Sequence, residues 1–424
     1  GGTRNEQKFR LDQDSFAGIS YVPEMVQAIL ERATNIGATD IHLEPYQTRL
    51  RVRFRVDGIL YDVASVPRSM GDDVISRIKV MADMDITERR RPQDGHVHQE
   101  LLGEPYDFRI ATVPTSAGER MAIRLTAASK DVPQIESLGF EEFEEDLIVD
   151  FTKRSHGIIL ACGPVGSGKT TTLYASLGKI DAFQKNIMTI EDPVEIELPN
   201  VSQVPVNHKI GVTFSKGLRA LLRHDPNIIL VGEVRDDETA KVAVRASLTG
   251  LLVFSTIHAN SAPGAVTTLY NFHIPPFLLA TSLVGVIAQR LVRTICPACK
   301  AEHSPEESLL RQAGFLPAEE IVLEGEEKPK AKPKAKAKAP ALPTFYKGTG
   351  CDACYGTGYA GRRGIFEILD VDERMRQAIT ERAPEAQLRE MAVARGMRTL
   401  SSRGRHLVEL GETTIHEFIR VLYQ

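Results

Sequence analysis

The sequence predicts an α/β protein: a mostly parallel sheet with flanking helices, preceded by a smaller α+β domain and followed by a cysteine-bearing module and a helical tail. Three observations carry that expectation. Residues Gly163, Pro164, Val165, Gly166, Ser167, Gly168, Lys169 and Thr170 form a complete phosphate-binding loop between a buried strand pattern and a helix pattern. From Gly157 to about Arg290, short apolar runs alternate with helical stretches, as parallel sheets require. Two Cys-x-x-Cys pairs, Cys296/Cys299 and Cys351/Cys354, lie beyond that region.

In chain order, residues 1–20 are polar and unpatterned, an arm or linker. An α+β domain is expected over 21–140. It opens on a helix, because Val22, Met25, Val26, Ile29, Leu30, Ala33 and Ile36 recur at helical spacing before Gly37. Residues 49–56 alternate strictly, with Leu50, Val52, Phe54 and Val56 on one face and Arg49, Arg51, Arg53 and Arg55 on the other. Asp57-Gly58 is a favoured two-residue hairpin turn, which makes 59–63 the return strand. A second helix over about 72–83 and strands over 108–113 and 120–125 complete the domain.

The sheet domain is expected over 141–290, with strands at 158–161, 187–190, 228–231 and 252–255. A four-cysteine module spans 291–365. Within it, 324–343 is low-complexity, and six lysines alternate with Ala or Pro from Lys328 to Lys338. Such a stretch cannot bury enough apolar surface to order itself and reads as a flexible, solvated insertion. A helical domain is assigned to 366–424, with helical patterning returning from Val371.

The composition narrows the function classes. A chain of 424 residues suggests about three domains. The net charge is −4 and charged residues make up 25%, so nothing global demands a nucleic acid or an acidic lipid surface. No signal-peptide pattern opens the chain. The longest apolar stretch, Phe277 to Ala288, is 12 residues and too short to span a bilayer. The expectation is a soluble, cytosolic protein. Its Gly1-Gly2 start, without methionine, suggests a cleaved tag or a truncation, and a truncation would leave an upstream domain missing.

The chemistry sits at strand ends. In the phosphate-binding loop, glycines let backbone N–H groups wrap phosphates, and the helix N-terminus adds positive potential. Lys169 is expected to neutralise the β- and γ-phosphates, and Thr170 to hold Mg²⁺. Glu191-Asp192-Pro193 ends the second core strand, at the carboxyl edge of the sheet that faces a nucleotide crevice. Its carboxylates can orient water or bind Mg²⁺ through waters, while the segment taken alone favours helix capping or turn formation by Asp192-Pro193.

Gly232-Glu233 ends the third strand. Gly232 stands where the Walker B strand usually carries an aspartate, so Glu233 is the carboxylate available to polarise an attacking water. Its competing role is an ion pair with Arg235. His258, after the fourth strand, can sense a γ-phosphate, bridge to a neighbouring subunit or be structural. Arg219 and Arg223 fall at i,i+4 on one helix face, where an anionic partner or plain solvent would suit two cations.

The four cysteines have the spacing of a tetrahedral four-thiolate zinc site, structural because no coordination position stays open. A reducing compartment disfavours disulfides among them. Cys162, on the strand entering the loop, reads as a core residue.

Together these segments resemble the secretion ATPase superfamily, in particular the assembly ATPases of type II secretion and type IV pili. The matching stretches are Thr39-Asp-Ile-His-Leu-Glu-Pro45, Pro92-Gln-Asp-Gly95, the loop at 163–170, Glu191-Asp192-Pro193, Arg223 through Arg235, Leu248-Thr-Gly250 through His258, and both cysteine pairs. The resemblance covers 21–424. It implies a RecA-like ATPase domain behind a PAS-like α+β domain, assembled as a homo-hexamer. ATP with Mg²⁺ would bind through the loop and Thr171 near domain and subunit interfaces.

It further implies that Glu233 is the catalytic Walker B glutamate and that Glu191 and Asp192 lie in an acidic box. Arg109 and Arg124 of the first domain would reach the phosphates, and Arg219 and Arg223 would serve the interface. Two positions depart from the pattern: Leu251 and His96 stand where the family usually has His and Arg. The first leaves His258 alone as histidine sensor. Retraction motors lack the four-cysteine module, which points to secretion or extension.

The expected role is therefore a hexameric motor driving pseudopilus or pilus assembly at the cytoplasmic face of the bacterial inner membrane. It would be held there by inner-membrane platform proteins, and the usual docking domain is not visible. A nucleic-acid-translocating motor is the alternative. Against it, no basic stripe with interleaved aromatics appears outside the lysine insertion, and aromatics are only 6% of residues. A non-hydrolysing scaffold is opposed by the intact Lys169, Thr170 and Glu233.

Overall fold

The computed structural model describes residues 19–127, 132, 134–317 and 342–423. The lysine-rich insertion and the N-terminal arm are expectations that lie outside the described residues, apart from Ile19, Ser20, Leu342 and Pro343. The chain forms two compact units. One comprises residues up to 131 together with 296–299 and 348–361, and the other takes the remainder.

In the first unit, helix α1 (Val22–Asn35) leads into strands β1 (Asp40–Pro45), β2 (Arg49–Val56) and β3 (Ile59–Pro67). Helix α2 (Arg68–Met81) and strands β4 (Gln93–Leu101), β5 (Glu104–Thr115) and β6 (Gly118–Ala127) follow. The six strands lie in the order β3-β2-β1-β6-β5-β4. The predicted hairpin closes through Asp57 (φ 48°) and Gly58 (φ 82°), the paired positive φ values that a two-residue turn needs.

Alternation along β2 sorts its side chains by physics. Leu50, Val52 and Phe54 are fully buried against Ile29 and Leu30 of α1 and Val74, Ile75 and Ile78 of α2. The arginines emerge on the other face and meet carboxylates: Arg51 with Asp62 at 2.5 Å, Arg53 with Glu44 at 2.5 Å, Arg55 with Asp40 at 3.5 Å.

The second unit holds α3 (Glu142–Thr152), β7 (Gly157–Cys162), α4 (Lys169–Leu177), β8 (Ile187–Glu191), β9 (Ser202–Pro205), α5 (Phe214–Leu221), β10 (Ile228–Val231), α6 (Asp237–Leu248), β11 (Leu252–Ile257), α7 (Ala262–Asn271), α8 (Pro276–Ser282) and β12 (Leu283–Ile295). Next come β13 (Lys300–His303), α9 (Glu307–Gln312), β14 (Phe345–Gly348) and β15 (Tyr359–Asp370), then α10 (Glu373–Thr380), α11 (Glu385–Ala394), α12 (Leu400–Glu409) and α13 (Ile415–Leu422). Gly348 and the start of β15 belong to the first unit.

The main sheet has seven strands in the order β15-β12-β7-β11-β10-β8-β9. All four expected strands are present and pair in parallel. The run from Phe277, read only as an apolar stretch, divides into α8 and the thirteen-residue β12, which pairs in parallel with β7. A strand buried on both faces is a continuous apolar run, and periodicity cannot separate it from a buried helix.

Two further differences concern boundaries. Residues 366–370, assigned to the helical tail, finish β15, and the helices begin at Glu373. Met375, Ile379, Leu388 and Leu407 from those helices share one core with the sheet, so the tail packs as part of the second unit. Among the described residues, no helix is long and apolar enough to cross a membrane.

Candidate functional site

Strand β7 is buried at all six residues and lies between β11 and β12, so it delivers Gly163 to the carboxyl edge of the sheet centre. A side chain at Gly163 has no room. Its Cβ would lie 2.5 Å from the Gln289 carbonyl oxygen and 2.6 Å from Ser167 Oγ. The loop closes on Gly168 (φ 89°), which begins α4, placing Lys169, Thr170 and Thr171 in that helix's first turn.

Lys169 Nζ donates to the carbonyls of Gly163 (3.0 Å) and Pro164 (2.9 Å). Burial pushes its pKa down and the charge of Arg290 adds to that, while Glu233 works against both. Ser167 Oγ is buried and, among the described residues, has no hydrogen-bond partner. A loop with no room for a side chain at its first glycine, a spare hydroxyl, a helix N-terminus and a cation with only carbonyl partners fits a polyphosphate.

The strand-end acids divide into two kinds. Glu233, just past β10, keeps its side chain mostly buried between two neighbours: Arg235 Nε at 2.5 Å and His258 Nε2 at 3.9 Å. The ion pair with Arg235, the competing role for Glu233, is thus formed. Backbone bonds from Gly232 N to Ile190 O and from Val234 N to Thr256 O, both 2.8 Å, hold the three strand ends in line.

Glu191 is 2% exposed. Its carboxylate accepts from Thr189 Oγ1 (2.5 Å), Gln203 Nε2 (3.1 Å) and the Tyr174 hydroxyl. Burial, then this bond, pushes the Tyr174 pKa well up. Glu191 therefore ties the loop helix α4 to β8 and β9. Asp192 is exposed, 3.6 Å from His208 Nε2.

The arginines are placed as follows. Arg219 pairs with Glu238 at 2.9 Å. Helix α5 ends at Leu221, so Arg223 lies in the following turn, exposed, and does not share a helix face with Arg219 as expected. Gly217, whose Cβ position is 2.4 Å from Ile190, keeps that helix close against the sheet. Arg109 and Arg124, in the first unit, sit opposite each other in register on β5 and β6. Arg109 faces Asp107 at 3.6 Å and Arg124 faces Asp40 at 3.0 Å.

Several residues went unnoticed in the sequence. Gln289 Nε2 donates to the Ser167 carbonyl at 2.7 Å and buttresses the loop from β12. The segment after His258 is gripped on several sides. Arg290 donates to the Asn260 carbonyl (3.1 Å), Ser261 Oγ donates to Glu385 (2.7 Å), and Glu367 accepts from the Ala262 N–H (2.8 Å). Gln289-Arg290 follows the apolar run Leu283–Ala288, as Glu233 and His258 follow theirs, although β12 continues past both residues.

The cysteines meet as spaced. Sγ separations are 3.9 Å for Cys296–Cys351, 3.8 Å for Cys299–Cys354 and 3.8 Å for Cys351–Cys354, with all four ligand atoms within 4.8 Å. A tetrahedron with metal–sulfur bonds of about 2.3 Å has edges of about 3.8 Å, so the quartet fits zinc. Burial raises the Cys354 thiol, but the N–H groups of Cys351 and Gly358 together with the Cys351 and Cys299 thiols outweigh it and bring the pKa to about 7. Cys162 is a buried free thiol, as expected of a core residue.

A profile of the type II/IV secretion system protein family matches residues 16–420. The chain is 43% identical over 397 residues to the type II secretion system protein E of Pseudomonas aeruginosa, covering 94% of this chain and 74% of that one. It is 41% identical to the type II secretion system ATPase E of Vibrio cholerae, covering 94% and 75%. With the type IV pilus assembly ATPase PilB of Thermus thermophilus it shares 40% identity, covering 94% and 43%. The pilus retraction motor PilT with bound ADP superposes with a TM-score of 0.60 at 23% identity, covering 93% and 96%. The ATPase DotB of Yersinia pseudotuberculosis gives 0.67 at 17%, covering 95% and 94%. At these identities the two structures speak for a shared fold.

Proposed function

We propose, for a chain that belongs to the type II/IV secretion system protein family, an ATP-hydrolysing motor that works as a homo-hexamer. It powers assembly of a pilus-like fibre, a pseudopilus or a pilus, at the cytoplasmic face of the bacterial inner membrane through platform proteins. The names of its relatives, secretion ATPase E and pilus assembly ATPase PilB, support that setting. The observation that carries the reading is the meeting of Lys169, Glu233 and His258 at one sheet edge, around a loop whose first glycine leaves no room for a side chain.

Bound MgATP supplies the phosphoric anhydride to be cleaved. Lys169 offsets the phosphate charge, and Thr170 offers its hydroxyl to the metal. Glu233 orients the attacking water, Arg235 holds that carboxylate in place, and His258 lies beside it. Phosphoryl transfer depends on positioning more than on covalent chemistry, so this rigid alignment of strand ends is the catalyst's main contribution. Glu191 serves as a positioning residue. The cysteines hold structural zinc.

The test is Mg²⁺-dependent phosphate release by the full chain. Glu233→Gln should lower turnover about 100-fold or more while nucleotide affinity stays within a few-fold. Undiminished turnover in that variant would remove Glu233 from the mechanism. Light scattering or mass photometry checks the hexamer.

A further inference from the structure

We infer that Arg290 is a second cation of the phosphate pocket, acting alongside Lys169 on the polyphosphate of the nucleotide. The inference rests on the nucleotide reading above and adds a residue to it. Strand β12 pairs in parallel with β7, with Ala288 opposite Cys162, so Gln289 and Arg290 run beside the start of the loop. Arg290 Nη1 lies 3.1 Å from the Cβ position of Gly163. The charges of Arg290 and Lys169 are close enough for Arg290 to depress the Lys169 pKa.

The partners of Arg290 are the second observation. Its guanidinium is partly buried and donates to two carbonyl oxygens, Gln289 O at 3.0 Å and Asn260 O at 3.1 Å. Among the described residues no carboxylate forms an ion pair with it, and Glu367 acts on it only at longer range. Arg293, three residues further along the same strand, shows the contrast. It is clasped by the Glu417 carboxylate at 2.8 Å.

A guanidinium stays charged at any physiological pH, so a partly buried one needs compensation. Neutral carbonyls supply only part of it, whereas a phosphate oxygen brings a full opposite charge in the geometry that a guanidinium fork matches. Beside a phosphate-binding loop, that shortfall in anionic partners marks an anion receptor. The alternative is a plain latch, in which Arg290 only fixes the loop carrying His258 through Asn260.

Equilibrium binding of fluorescent ADP and of a non-hydrolysable ATP analogue to the full chain separates the two. Arg290→Gln should weaken binding about 10-fold or more. Weakening common to both ligands places the contact at the shared phosphates, and weakening confined to the analogue places it at the terminal one. Affinities within two-fold of wild type would overturn the inference. If Lys169→Ala weakens binding while Arg290→Gln does not, only this inference fails. If the wild-type chain binds neither ligand, the nucleotide reading itself fails.

Should Arg290→Gln not fold, arginine-selective labelling of the wild-type chain with phenylglyoxal, mapped by mass spectrometry, decides the question. Saturating nucleotide should protect Arg290 several-fold, and equal labelling with and without nucleotide would overturn its contact.

Discussion

The chain carries two sets of cations that meet different partners. On the sheet of the first unit, Arg51, Arg53 and Arg55 each face a carboxylate, and Glu44 alone gathers Arg53, Arg120 and, at 3.8 Å, Arg51. Around the phosphate-binding loop, Lys169 and Arg290 donate, among the described residues, to backbone carbonyls alone. The first set is neutralised within the fold and serves to hold strands in register. The second is only partly compensated, which keeps its charge available to an incoming anion. An arginine-rich strand is therefore not in itself a sign of nucleic-acid binding here, because internal acids use up its charge.

The largest effect that separates the two sets is expected at the loop. Lys169→Ala should abolish measurable hydrolysis and weaken nucleotide binding by about 100-fold or more, because a partly buried charge-assisted contact disappears. Its thermal midpoint without nucleotide should barely move. A large fall in that midpoint would mean that Lys169 holds the fold as the first-unit arginines do.

How far the sequence already contained this contrast depends on the residue. The loop, the Glu233 and His258 strand ends and the cysteine quartet were legible because each is a local motif with fixed spacing. Arg235 is legible as a competing partner of Glu233 because it is two residues away. Glu191 looked like a crevice carboxylate, but its engagement by Tyr174 and Gln203 depends on contacts 17 and 12 residues distant. Strand β12 was hidden because burial on both faces erases periodicity, and Gln289 and Arg290 were hidden with it. The end of α5 at Leu221 removed the shared helix face of Arg219 and Arg223, a boundary that propensity alone does not place.

The cysteine quartet has the opposite sign: donors that become anionic, grouped at the spacing a cation needs. About one zinc per chain is expected by elemental analysis. Cys354→Ser should lose most of it and lower the thermal midpoint. Full zinc retention in that variant would place the metal elsewhere.

Within the first unit, Glu44 is the sharpest probe of internal neutralisation. Glu44→Gln keeps the shape but leaves Arg53 and Arg120 without their shared acid. A loss of about 2 kcal/mol in denaturant unfolding is expected, below the figure for a fully buried pair because the arginines reach solvent. A change under about 0.5 kcal/mol would show that solvent, not Glu44, compensates these arginines.

The smallest effect belongs to the pair Arg51–Asp62, whose acid is half exposed. The hydrogen bond from Arg51 holds the Asp62 carboxyl below its ordinary range. A depressed folded-state pKa contributes stability that is complete above the unfolded value, about 3.9, and is lost as pH falls through the lower folded value. Asp62→Asn should therefore destabilise the unit at neutral pH by under about 1 kcal/mol. The difference from wild type should vanish in strong acid, where the wild-type pair is broken too. A difference that persisted unchanged at low pH would assign the loss to packing or to the new amide, and the charge pairing on this sheet would then rest on Glu44 and Asp40.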